Sequence, residues 1–91
     1  MRLVGPTENP FRGSTRIAWE MPAQASVRLS VFDVQGRRVR TLADGNFGPG
    51  LHDVAWDGRT DGGQPAAAGS YFLRLEIPGH APRVSRVVML R

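Results

Sequence analysis

Apolar and polar side chains alternate along most of this chain with a period of two, and glycine and proline interrupt the alternation at short intervals. In STRIAWEMP, residues 14–22, Ile17, Trp19 and Met21 fall on one face and Arg16, Ala18 and Glu20 on the other, which predicts a half-buried strand that Pro22 ends. SVRLSVFDV, residues 26–34, repeats the pattern with Val27, Leu29 and Val31 inward. Asp33 and the following QGR then turn the chain, with Gly36 supplying the positive φ of a tight hairpin. RRVRTL, residues 37–42, is read as the return arm and ADGNFGPG as a loop. LHDVAWDG places His52, Val54 and Trp56 on a shared face, GSYFLRLEI points Tyr71, Leu73, Leu75 and Ile77 inward, and PRVSRVVML forms the last strand.

No stretch sustains a 3.6-residue period with caps. With RLV at the N-terminus the count is about seven strands. The expectation is therefore an all-β, immunoglobulin-like sandwich of antiparallel strands in two sheets, with residues 1–10 as a linker and first strand and residues 11–91 as the sandwich. A chain of 91 residues buries one modest core and has little room for a deep catalytic cleft.

Composition narrows the function classes. Cysteine is absent, which removes disulfides, thiolate nucleophiles and Cys-based zinc sites. The apolar runs fall short of the roughly 20 residues a membrane-spanning helix needs, so no membrane insertion is expected. The net charge is +4 and all 12 basic residues are arginine; dispersed in this way they do not point to nucleic acid.

Candidate chemistry is sparse. In DGRTDGGQ, Asp57, Asp61 and Gly62 match part of a calcium-loop pattern, but Arg59 and Ala68 stand where ligands are needed, and the alternative is a turn whose carboxylates cap backbone N–H groups. His52 and Asp53 are neighbours on a strand and point to opposite faces, so His52 is read as a packed core residue and His80 as a loop tip. Nothing here assembles a hydrolytic triad or a phosphate loop, and an enzyme is not expected. Arg38 and Arg40 are expected to share one face of the hairpin, where they either meet an anionic ligand or form a solvated edge. Phe32 and Phe72 oppose the core pattern of their strands and would form a surface patch if those strands pair, unless a long arginine stem or the N-terminal segment covers them.

Read together, NPF at 9–11, TRIAWEMP, VRLSVFDVQGRRVRTL, GLHDVAWDGR, GSYFLRLE and RVVMLR resemble the C-terminal sorting domains of type IX secretion substrates. They are closely similar also to the immunoglobulin-like module of flagellar hook-capping proteins. The sorting-domain resemblance implies a non-catalytic address for a larger cargo in the same chain, recognised by an outer-membrane translocon and a sortase. It implies passage through the periplasm to the cell surface, a chain that is part of a longer precursor, a monomer, and no cofactor. It assigns recognition to Gly69 and Tyr71 and to the last strand through Arg86, Val87, Val88, Leu90 and Arg91. Type IX domains often carry lysine in that strand, and Trp56-Asp57-Gly58 leans to the flagellar type. A last strand at the end of the chain favours the address; a structural or assembly module and a carbohydrate-binding accessory domain are the alternatives.

Overall fold

The alternation becomes seven antiparallel strands in a computed structural model that describes residues 1–91. They are β1 (Arg2–Val4), β2 (Thr15–Met21), β3 (Ala25–Asp33), β4 (Arg38–Phe47), β5 (Gly50–Trp56), β6 (Gly69–Glu76) and β7 (Arg83–Met89). One sheet has the order β1-β2-β5 and the other β4-β3-β6-β7, and their inner faces enclose a single core. The immunoglobulin-like sandwich expected from the pattern is the fold observed.

The inward positions of β2, β3 and β6 are those the period predicts. Ile17, Trp19, Met21, Val27, Leu29, Val31, Tyr71, Leu73, Leu75 and Ile77 are all buried. At one end of the core, Trp56 of β5 meets Tyr71 of β6 edge to face, with ring centres 5.2 Å apart, and packs at 5.5 Å against Phe11, so one aromatic cluster ties the two sheets together. At the other end His52 stacks on Trp19 at 5.6 Å beside Phe47, and its Nε2 lies 2.8 Å from the Gly48 carbonyl. His52 is therefore only half-buried, lying along the core's open side.

Two expectations change. The stretch ADGNF is strand, for β4 continues to Phe47 and only Gly48 and Pro49 separate it from β5. Pairing against the long β3 accommodates its turn-type residues: Asp44 lies opposite Arg28, Gly45 opposite Val27 and Asn46 opposite Ser26. The division at residue 10 also follows no structural boundary. β1 pairs with β2, and Thr7 and Glu8 bond Arg16 and Thr15, so residues 1–10 belong to the sandwich.

Candidate functional site

The register of β4 decides where the arginines go. Arg38 is opposite Phe32 and Arg40 is opposite Val31, because Val39 is an extra residue in the ladder. Phe32 points out and Val31 points in, so the bulge sends Arg38 and Arg40 to opposite faces, against the expectation that they share one. Arg40 turns toward the loop after β5. Its Nη1 donates to Asp57 Oδ1 at 3.1 Å and to the Arg59 carbonyl at 3.2 Å, and its Nε lies 3.9 Å from Asp61 Oδ1. The guanidinium thus takes the position a cation would occupy between the two carboxylates.

The same acids cap backbone groups. Asp57 Oδ1 accepts from the Arg59 N–H at 3.0 Å and Asp61 Oδ1 from the Thr41 N–H at 2.9 Å. Of the two readings of this loop, its donors and acceptors fit the turn. The whole Trp-Asp-Gly motif has a structural purpose here: Trp56 Nε1 donates to the Arg59 carbonyl at 3.0 Å, and Gly58 holds a φ of +74° where a Cβ would come within 2.8 Å of Met89 Sδ.

The residues of the last strand divide between core and edge. Val87 is fully buried, so its side chain cannot meet a receptor, contrary to its place among recognition residues. Tyr71 is likewise a core residue: its hydroxyl donates to the Ala67 carbonyl, and burial, with the nearby Asp33 carboxylate, raises its pKa above the ordinary tyrosine value. Gly69 opens β6 opposite Met89. Arg86, Val88, Leu90 and Arg91 lie farther out, but the backbone edge they define is taken.

Asn9 and Phe11 close that edge. Asn9 Nδ2 donates to the Arg86 carbonyl at 3.0 Å and its Oδ1 accepts from the Val88 N–H at 2.9 Å, so one side-chain amide pairs as a strand backbone would. Phe11 continues the seal, donating to the Val88 carbonyl at 2.9 Å and accepting from Leu90 N–H at 2.8 Å. The Arg91 carbonyl accepts from Arg12 Nη1. The Arg86 carbonyl, both backbone groups of Val88 and the Leu90 N–H are therefore already paired, which leaves a receptor strand little to bond at residues 86–90.

Phe32 and Phe72 do pair, directly opposite each other on β3 and β6. Both are half-buried on the outer face of the four-stranded sheet. His52 and Asp53 diverge as expected, Asp53 accepting from Arg16 Nε at 2.8 Å. A cleft of about 350 Å³ collects Ser26, Asp44, Glu76 and His80, yet no hydrogen bond links His80 to any of these side chains. A second, of about 450 Å³, lies along Ala66, Ala67 and Ala68 beside the β3–β4 hairpin.

A seven-stranded, helix-free sandwich with an aromatic cluster in its core and with the candidate carboxylates held in turns and ion pairs is an immunoglobulin-like module. Residues 5–77 match the FlgD Ig-like domain, and the chain belongs to that family. Two curated relatives, the basal-body rod modification proteins FlgD of Salmonella typhimurium and Salmonella typhi, are each 32% identical over 72 residues. The match takes in 78% of this chain but 31% of either relative, so the chain spans about a third of their length. Among solved structures, PorZ of Porphyromonas gingivalis, described as an essential bacterial surface component of the type-IX secretion system, aligns over 99% of this chain and 11% of its own with a TM-score of 0.64. At 20% identity that likeness is one of fold.

Proposed function

We propose that this chain is a non-catalytic module that serves a larger extracytoplasmic protein by holding or presenting it within an assembly, as the family's association with flagellar rod modification supports. The observation that carries this reading is the closure of β7 by Asn9 and Phe11. The last strand puts Val87 and Met89 into the core and has its outer edge bonded by the chain's own Asn9 and Phe11, so in this reading the domain offers a partner a folded surface.

A second reading, a sorting domain that directs cargo through type IX secretion, is favoured by the likeness to PorZ along nearly the whole chain. In it the translocon and sortase read the folded domain, with Arg86 and Arg91 as exposed contacts.

Fusing residues 1–91 to the C-terminus of an exported fluorescent protein separates the two. The module predicts periplasmic retention both in a type IX-competent bacterium and in a mutant lacking the translocon, with the domain folded by circular dichroism and a known sorting domain secreted in parallel. Fluorescence outside the competent strain alone overturns the module in favour of the address. Deleting residues 84–91 cannot replace this assay, because it removes Val87 and Met89 from the core.

A further inference from the structure

We propose that the outer face of the four-stranded sheet docks an acidic, extended segment of a partner protein laid across the strands. The registers align one row over all four strands: Arg38 on β4, Phe32 on β3, Phe72 on β6 and Arg86 on β7. An aromatic pair is thus bracketed by two exposed cations.

The charges on this face are not equivalent. Arg28 and Arg74 lie 3.8 and 3.9 Å from Asp44 and Glu76, whereas Arg38 and Arg86 have no carboxylate within ion-pair distance. Arg86 is nonetheless held in place, its Nη2 donating to Ser70 Oγ at 2.9 Å. A positioned guanidinium with donors to spare suits a carboxylate. The net charge of +4 adds long-range attraction for an acidic partner.

Geometry sets the spacing. Three inter-strand steps separate the Cα positions at the ends of the row, about 14 Å. In an extended peptide, residues i and i+4 are about 13 Å apart and point to the same side, with i+2 between them. The complementary ligand is therefore acidic-x-apolar-x-acidic: the two carboxylates reach Arg38 and Arg86 and the central apolar side chain rests on Phe32 and Phe72. Recognition is by side chains, which suits a sheet whose β7 edge is already occupied.

This inference is independent of whether the domain is an assembly module or a sorting address, since its test uses the isolated chain. The ¹⁵N-labelled protein is titrated with the capped peptide Glu-Thr-Ile-Thr-Glu, with Gln-Thr-Ile-Thr-Gln as control. Amide shifts are expected to cluster at Phe32, Arg38, Phe72 and Arg86. Arg38→Gln and Arg86→Gln each weaken binding about two- to fivefold, the scale of an exposed ion pair, and together about tenfold. Both residues are exposed, and an unchanged spectrum of the free variants shows that the fold is kept. Equal binding of the glutamine control, shifts centred elsewhere, or no shifts at millimolar peptide overturns the proposal. So does perturbation of this row by polygalacturonate and not by the peptide, which would make the face a saccharide site.

Discussion

The two flanks of the four-stranded sheet are both covered by the chain's own segments, but with different physical chemistry. On the β7 flank the cover is anchored in the core: Phe11 is buried beside Trp56, and the hydrogen bonds of Asn9 and Phe11 are to backbone groups. On the β4 flank it rests on surface hydrogen bonds and partly exposed ion pairs. Asp61 donates its N–H to the Val39 carbonyl at 3.0 Å, and Arg40 joins Asp57 and Asp61 with all three side chains partly in water. Apolar burial is not screened by salt and is strong per residue, whereas exposed ion pairs contribute little and are screened. The β7 flank is thus built to stay closed, and the β4 flank is the one that conditions can loosen.

The sharpest way to break the contrast is Phe11→Ala. Removing a fully buried ring that touches Trp56 is expected to cost about 3 to 5 kcal/mol in urea unfolding, and to expose the Val88 and Leu90 amides to hydrogen exchange. Phe11→Leu, which keeps most of the apolar volume, should recover much of this. If Phe11→Ala leaves those amides protected, the strap is not what covers the strand.

Asn9→Ala tests the hydrogen-bonded half of the same flank. It deletes the amide that pairs with the Arg86 carbonyl and the Val88 N–H, which water can replace because the site is exposed. The expected loss is about 1 kcal/mol, with no dependence on salt. A salt-dependent loss would mean that Asn9 acts through the neighbouring Arg86 charge.

Much of the core on which both flanks rest was legible in the sequence, for a reason visible in β2, β3 and β6. Where one strand face is dry and the other wet, burial imposes the period directly, and Trp19, Leu29 and Leu73 appear where it places them. The failures are at the sheet's edges. Glycine, aspartate and asparagine in β4 are ordinary turn residues, and only pairing with β3 makes them strand. The bulge at Val39 changes which face Arg40 takes, and a one-residue insertion in a ladder leaves no compositional trace. Ser30 is fully buried although its position reads as outward, and its Oγ has no hydrogen-bond partner. The Phe32–Phe72 pairing was conditional on strand order, which a single-strand pattern does not contain. Edge closure by Asn9 involves residues nearly 80 positions apart, beyond the reach of any local reading.

On the β4 flank, Arg40→Met keeps the aliphatic stem and removes the charge. The destabilisation should be less than about 1 kcal/mol at low salt, because Arg40 is 28% exposed and its partners about half exposed, and it should shrink further as salt is raised. Denaturant midpoints of wild type and variant measured across a salt series test this. A difference that persists in high salt would assign the residue's contribution to its hydrogen bonds with the Arg59 and Thr60 carbonyls.

The smallest effect separates the flanks by pH. Asp33, in the turn that joins β3 to β4, accepts from the Arg37 N–H at 3.0 Å and the Gln35 N–H at 2.9 Å, and Arg37 Nε donates to its other oxygen at 3.0 Å. The Arg37 N–H, with the Arg37 side chain and the Gln35 N–H, holds the Asp33 carboxyl below its ordinary value against the opposing effect of desolvation. A carboxylate whose folded pKa is depressed adds stability above its unfolded value, and that contribution is lost as pH falls through the folded one. The hairpin should therefore keep its turn bonds through mildly acid solution and release them only below about pH 4. In a ¹⁵N titration the Gln35 and Arg37 amides should move together at that low midpoint, and Asp33→Asn should abolish the step. The Val88 amide, bonded to the uncharged oxygen of Asn9, should show no step of its own. If Val88 instead titrates with the hairpin amides, the two flanks open as one unit and the contrast between them fails.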